Sequence, residues 1–444
     1  MPAADACRWH RWLGMQQLGN CAAPARFFAV GSGDSFNNVA SAFRMVSPME
    51  SVPVHYVDSA AELQTLISAL AGHSIVGLDT EFISEGRYEP ALCLVQVSTE
   101  KDIWILDPLA VTELDEFWRV LLADDRELVT VAPRQEIRFC AKFAGRAPSR
   151  VFDLQIAAGL VGYSYPLSHT NLVLRVLGQK IHGGESFTDW RRRPLTPLQV
   201  KYAGDDVRYL IEMRKRLLRR AEQMNRREWI LDECARLTQA VMEDQEKWRI
   251  SGSARLGRRH LAVLREVWRW RDRVAQQMNT PAARVLGDSM LIEVARRSPQ
   301  TIEDLFAIRG LDRRLLRGAE QEIVKAVKEA QALAEQDLPS NERRDDPPQV
   351  SILAKLLSVA ANGLAAEHGV DPALLATTAD LQEFVRWFLG QDGTGKPTLM
   401  QGWRADIIAN PLLGFLQGDR CMRVGNVKRA NPLVFDEWQK LPQG

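Results

Sequence analysis

This 444-residue chain has no CxxC pair, no run of 18 apolar residues and no marked excess of either charge. Its six cysteines (Cys7, Cys21, Cys93, Cys140, Cys234 and Cys421) lie far apart. That spacing argues against a disulfide scaffold or a cysteine zinc site, and a reducing compartment, the cytoplasm, is expected. The lack of a long apolar run predicts no membrane span. With 57 Lys and Arg against 56 Asp and Glu, the formal charge is +1. This excludes a strongly basic tail or a wholly acidic protein but not a local basic face. GxGxxG and GxxxxGK[ST] are both missing, and none of the seven histidines has HExxH spacing. Nicotinamide and nucleoside-triphosphate chemistry therefore drop out. What remains is an ordinary globular balance, 46% hydrophobic and 25% charged. At ~150 residues per domain it suggests two to four domains.

Residues 1–52 mix Ala, Gly, Ser and Asn without a lasting period and are expected to form a poorly ordered extension. They lack the basic start and clean apolar stretch of a signal peptide, and Met49 is read as an alternative start of translation. A first domain is expected over 53–245. Its runs Ser74–Asp79, Ala91–Ser98, Ile103–Asp107 and Leu128–Pro133 read as strands. The gaps between the first three are too short for a crossover helix, so these strands should be antiparallel. Helical patterns at 114–122, 135–143, 154–161 and 168–177 complete a mixed sheet covered by helices. Residues 197–245 read as nearly continuous helix. Gly252 then opens an all-helical domain over 252–335, with helices at 256–278, 288–297, 301–307, 312–317 and 319–335. After a polar linker at 337–349, a second helical domain is expected over 350–437.

Several acids could act together. Asp79 and Glu81 end an apolar run, and residues i and i+2 share one strand face. Alone, this pair equally fits a plain strand edge. Tyr202 and Asp206 lie four apart and stack on one helix face, a spacing also common in purely structural helices. Glu136 opens the helix after the fourth strand, where the helix dipole favours an acid. Asp153 reads as a helix N-cap rather than a ligand. Brought together, Asp79, Glu81, Glu136 and Asp206 would suit two hard divalent ions, Mg²⁺ or Mn²⁺, clamping a phosphodiester. Tyr202, a weak base at an ordinary pKa of about 10, would orient the attacking water.

The segment from about 74 to 237 resembles the bacterial ribonuclease D family of 3′–5′ exoribonucleases. The resemblance rests on GLDTEFISEGRYEPALCLVQVS from Gly77, VFDLQIAAGLVGY from Val151 and FTDWRRRPLTPLQVKYAGDDVRYL from Phe187. It implies a ribonuclease H-like α/β mixed sheet followed by two all-α domains. Asp79 and Glu81 would be first-motif ligands, Asp206 the last-motif ligand and Tyr202 the water-positioning residue. Asp205, off the Tyr202 spacing, is the weaker candidate. The family's second motif reads roughly His-Ala-Gly-x-x-Asp-Leu. Here Val131 stands at the histidine position and Glu136 at the aspartate. The extra methylene adds roughly 1.5 Å of reach, against a coordination tolerance of about 0.2 Å.

Residues 252–335 resemble the HRDC module, through Leu261–Arg265, Trp270–Asp272, Asn279–Pro281 and Ile308–Leu311. The last domain, with Leu399–Arg404, resembles the family's second C-terminal helical domain. Across 251–330 there are 16 Lys and Arg against 10 Asp and Glu. Arg255, Arg258, Arg259, Arg265, Arg269 and Arg273 could form a phosphate-facing stripe, and Arg191, Arg192 and Arg193 could receive an RNA backbone. Trp190 is expected as a packing anchor, and of Trp268 and Trp270 only one should be core. The resemblance implies trimming of RNA 3′ ends, transfer-RNA precursors included, with release of nucleoside 5′-monophosphates and no obligate protein partner. Two alternatives are a catalytically weak or inactive RNA-binding protein, motivated by Glu136, and a DNA 3′–5′ exonuclease.

Overall fold

The apolar runs of the first region pair into one six-stranded mixed sheet. The computed structural model describes residues 52–438, apart from 182–187, 244–245, 312–315, 317, 341–345 and 392–394. The expected extension 1–52 lies outside the described residues except for Val52, as does most of the helix expected at 312–317.

The strands are β1 (Val54–Val57), β2 (Ile75–Ile83), β3 (Ala91–Ser98), β4 (Ile103–Leu106), β5 (Glu127–Thr130) and β6 (Arg150–Asp153), in the spatial order β1-β4-β3-β2-β5-β6. As expected, β2, β3 and β4 are antiparallel neighbours. The sequence reading did not include β1, which pairs parallel with β4, or β6, which pairs parallel with β5. One face packs Val76, Leu78, Val95 and Val97 against Phe117, Trp118 and Phe139. These aromatic residues come from helices α2 (Asp115–Leu121) and α3 (Arg134–Ala144), and α1 (Ala60–Ala71) adds Leu63 and Leu66. The strands are followed by α4 (Leu154–Leu160) and α5 (His169–Leu177).

The stretch expected as continuous helix is three helices: α6 (Pro197–Arg208), α7 (Leu210–Gln223) and α8 (Arg227–Met242). A capping box starts α6, with Thr196 and Gln199 satisfying each other's backbone N–H groups and Pro197 inside the first turn. Tyr209 separates α6 from α7, and Asn225, at a φ of 54°, turns the chain before α8.

Helix α9 (Arg258–Gln277) leads a helical module with its own core of Leu261, Leu264, Trp270, Leu291, Ile323 and Val327. Trp270 is buried and Trp268 half-buried, as the helical spacing requires. The final region is helical to Gln417. It then closes in an antiparallel hairpin of β7 (Arg420–Val424) and β8 (Leu433–Glu437), which corrects the expectation of helix through this stretch. Gly418, at a φ of 79°, ends the last helix. A Cβ at Gly363 would stand 2.6 Å from Phe435 Cζ, so the bare glycine lets the hairpin pack on helix Pro348–His368. That helix is long and apolar enough to cross a membrane by composition alone. Its Ala354, Leu357 and Leu364 are instead buried in a core shared with Leu160, Leu217 and Ile230 of the first region.

This shared core is also pinned by buried polar groups. Glu233 on α8 accepts from Trp403 Nε1 and Arg404 Nη2, each at 3.0 Å. Arg404 also donates to the Leu374 and Leu375 carbonyls at 2.7 and 3.1 Å. Arg226 donates to Leu160 O at 2.7 Å and to Gly369 O at 3.1 Å. Glu233→Ala would leave the Arg404 guanidinium buried without its counter-charge. The expected cost is about 3–5 kcal/mol, read as a lower urea midpoint for the full chain. An unchanged midpoint would show that the pair does not hold the two regions together.

Candidate active site

Strand β2 carries Asp79 and Glu81 on the face opposite Val76 and Leu78, toward α6. On β3, Gln96 pairs with Asp79 and Leu94 with Glu81, and the register shifts immediately after Glu81. Helix α6 brings Tyr202 and Asp206 down onto that face through a narrow seam. Ser98 Oγ donates to the Val207 carbonyl at 2.8 Å. It has room only because its cross-strand partner is Gly77, where a Cβ would stand 2.2 Å from Ser98 Oγ and 3.2 Å from Leu210 Cδ1.

Asp79, Glu81, Tyr202 and Asp206 line one cavity of about 290 Å³, together with Thr80, Val131, His169 and Leu210. Four of the five expected site residues therefore converge. Glu136 does not line the cavity. It is buried at the start of α3 and its carboxylate accepts from Thr80 Oγ1 at 2.6 Å. Asp153 caps α4, accepting from Gln155 N at 2.9 Å and Ala132 N at 3.1 Å. Ala132, at a φ of 55°, is a non-glycine residue in the left-handed region at the turn that launches α3. Asp205 pairs with Lys201 at 2.9 Å and Arg208 at 3.0 Å, so it is spent on the helix surface.

Among the described residues, neither Lys nor Arg pairs with Asp79, Glu81 or Asp206. Their protonation reflects this crowding. Burial, then the Asp79 and Glu136 charges, pushes Glu81 up to about 9. Burial, then Glu81 and Asp205, pushes Asp206 up to about 8. Asp79 is raised well above the carboxylate range by burial and by Asp206 and Glu136. Burial raises Glu136 too, partly opposed by the Thr80 hydrogen bond. As they stand, no three Asp, Glu, His or Cys side chains among the described residues are drawn tightly enough to hold one ion. The donor set still fits a hard divalent cation: three partly buried carboxylates face one space without a Lys or Arg counter-charge among the described residues.

Three residues at the site escaped the sequence reading. His169, the first residue of α5, puts Nδ1 3.6 Å from Asp206 Oδ1, and its Nε2 is buried without a partner among the described residues. Burial lowers its pKa to about 4, so the ring is neutral. Gln96 is fully buried opposite Asp79, and neither of its amide atoms finds a partner among the described residues. Thr80 turns to Glu136. Only Gln96 left a signal, as a lone amide in the apolar run ALCLVQVS. His169 stands alone in sequence with no metal spacing.

The arginines expected on basic surfaces are mostly ion-paired, several of them while still exposed. Arg193 is half-buried and donates to Asp107, to Trp190 O at 2.8 Å and to Cys93 O at 3.0 Å. Arg191 and Arg192 pair with Asp189 but stay exposed. Of the α9 stripe, Arg258 and Arg259 engage Glu335 and nearby carbonyls, and Arg265 engages Glu266. Arg269 engages Glu246 and Glu266, and Arg273 engages Glu322. Trp190 is buried, as expected of an anchor, with its ring 6.1 Å from that of Tyr202.

Comparison with known proteins agrees with this geometry. A 3′–5′ exonuclease family model matches residues 54–222, and an HRDC domain model matches 260–327. The chain is 31% identical to ribonuclease D of Gluconacetobacter diazotrophicus over 379 residues, covering 84% of this chain and 95% of that one. It is 31% identical to ribonuclease D of Nitrobacter hamburgensis over 384 residues, covering 84% and 98%. The crystal structure of Escherichia coli RNase D, an exoribonuclease involved in structured RNA processing, superposes with a TM-score of 0.74 at 26% identity. It covers 82% of this chain and 99% of that one.

Two outcomes follow. Gly77→Ala should destabilise the protein by about 1–3 kcal/mol by overpacking the seam, read by urea unfolding; a neutral effect would mean that α6 has slack there. The second concerns pH. Glu81 and Asp206 have folded pKa values of about 9 and about 8, against ordinary values of 4.5 and 3.8. Between these limits the native state keeps protons that the unfolded chain has shed, so stability falls as pH rises from about 4 to about 9. In chelator-treated protein the urea midpoint should decline across that window, and Asp206→Asn should flatten the decline. A midpoint that climbs from pH 5 to 9 would contradict the crowding of the acids.

Proposed function

The chain belongs to the ribonuclease D family of 3′–5′ exoribonucleases, and on that premise we propose that it trims RNA 3′ ends one nucleotide at a time, with two divalent ions, Mg²⁺ or Mn²⁺, held by Asp79, Glu81 and Asp206. Nucleoside 5′-monophosphates are the products and transfer-RNA precursors are among the substrates. The observation that carries the reading is the meeting of these three acids and Tyr202 at one cavity without a Lys or Arg counter-charge among the described residues.

When bound, the ions supply Lewis acidity for the attacking water and the leaving 3′ oxygen. The remaining work belongs to the chain. Asp79 and Glu81, on one strand face, would hold the ions from β2, and Asp206, four residues after Tyr202, would hold them from α6. Tyr202 orients the water through its hydroxyl, and the packed ring of Trp190 limits its swing. Glu136, the fourth expected ligand, would have to give up its bond from Thr80 to take part in holding the ions. Arg191, Arg192 and Arg255 are exposed and offer the RNA backbone its first charges. The enzyme works in the cytoplasm without an obligate protein partner.

A second reading has its own support. The engagement of Glu136 with Thr80 favours an RNA-binding protein whose fourth acid has left the site. A DNA 3′–5′ exonuclease differs only in substrate. Matched 3′-extended RNA and DNA, each incubated with Mg²⁺ and with Mn²⁺, separate the three. The expected result is monophosphate release from RNA that Asp206→Asn lowers by at least about 10²-fold. Wild type and Asp206→Asn equally inert in both ions, with RNA still bound, would leave the binding protein standing.

A further inference from the structure

The loop that follows the acid strand is fastened to the HRDC module. Strand β2 ends two residues after Glu81, and the chain returns at Ala91. Between them, Tyr88 N and Glu89 N both donate to Asn279 Oδ1, each at 3.2 Å. Tyr88 Oη donates to Asp272 Oδ1 at 2.8 Å, and the Tyr88 ring packs against the module's core. Glu89 also pairs with Lys142 of α3, the helix that carries Glu136. One short loop thus joins β2, α3 and the end of α9.

The ladder beside Glu81 gives this fastening a purpose. Register is lost between Glu81 and Phe82, where Cys93 is the extra residue on β3. A bulge breaks the ladder locally and bends the strand beside Glu81, with Phe82 and Ile83 paired again beyond it, so the loop at the strand's end can influence how Glu81 is aimed. Several α9 arginines are ion-paired, with Glu335, Glu246 and Glu322, and stay at least partly exposed. Asn279 needs more explanation than its place in the helix end provides. It sits at a φ of 44°, just after the α9 C-cap, and Thr280 N closes the turn onto Ala275 O at 3.0 Å. Asparagine is common there because it tolerates the left-handed region, but glycine tolerates it better. The turn does not use the side-chain carbonyl, which is bonded across to the loop.

We propose that Asn279 and Tyr88 are positioning residues, through which the HRDC module holds the β2–β3 loop and thereby the placement of Glu81 for hydrolysis. The proposal rests on the hydrolytic reading above. It assigns the module a mechanical part in catalysis, apart from any contact with RNA.

Asn279→Gly separates the two roles of this residue, since glycine keeps the left-handed turn and loses only the acceptor. Asn279→Asp keeps an acceptor and serves as the rescue. All are made in the full-length chain. In Asn279→Gly, hydrogen exchange over residues 84–92 should quicken about tenfold or more, with the thermal midpoint unchanged or raised. On 3′-extended RNA, kcat should fall about fivefold while KM stays within about twofold, and Asn279→Asp should lie near wild type in both measurements. Active wild type with unaltered exchange and kcat in Asn279→Gly overturns the proposal, as does faster exchange with unchanged kcat. A rise in KM alone would make the module an RNA-binding element instead. Wild type inert in both ions overturns the hydrolytic reading itself, a result no Asn279 variant can produce.

Discussion

Three partly buried carboxylates are held side by side with no Lys or Arg among the described residues to balance them, and the packing of α6 on the sheet carries that cost. Asp79, Glu81 and Asp206 approach one cavity from a strand and a helix that are far apart in sequence. Left alone, such a set would spread into solvent or recruit a lysine. Asp205, the adjacent acid, does so with Lys201 and Arg208. For Asp206, the lowering of α6 onto the sheet prevents it. Ser98 reaches the Val207 carbonyl across the space that Gly77 leaves, and the next residue back along the helix is the acid. The resulting proton affinity is what a divalent ion would relieve, so burial that is unfavourable for the empty protein favours the occupied one.

The two helical parts meet this constraint differently. The final region shares a continuous apolar core with α4, α7 and α8, and Glu233, Arg404 and Arg226 fasten it from inside. It behaves as an extension of the nuclease fold rather than a hung module. The HRDC module keeps a separate core and touches the acid strand through a few polar contacts at one loop. A few hydrogen bonds at the edge of a bulge make a hinge point that small changes can loosen.

The sequence made the centre of the sheet legible. The run Ala91–Ser98 is β3 to the residue, and short gaps were enough to set three antiparallel strands. What it hid depended on distant partners. Val54–Val57 is four residues long and becomes a strand only because Ile103–Leu106 lies alongside in parallel. The closing hairpin was read as helix because its strands are short and half-exposed; their order comes from Phe435 settling over Gly363. At the site, spacing paired Asp79 with Glu81 and Tyr202 with Asp206, and the family resemblance implied that the two pairs meet. Spacing said nothing about which way Glu136 turns, because a long acid at a helix start can reach either face. The ion pairs of the α9 arginines were hidden for a related reason. Regular spacing marks a helix face but not the acids folded back against it, and Glu335 and Glu246 supply those from outside the helix.

The substitution at the second motif can be argued further from strand geometry. Thr80 lies between Asp79 and Glu81, so its side chain leaves β2 on the opposite face from theirs. A carboxylate bonded to Thr80 Oγ1 therefore meets the strand at the cavity's edge, close enough to act on Asp79 and Glu81 without lining the cavity itself. To join the other acids, Glu136 has to give up a hydrogen bond to a charged group, worth about 1.5–3 kcal/mol. In the resting fold Thr80 thus holds the glutamate at the second-motif position, and a divalent cation would have to compensate for that bond to take it as a fourth ligand.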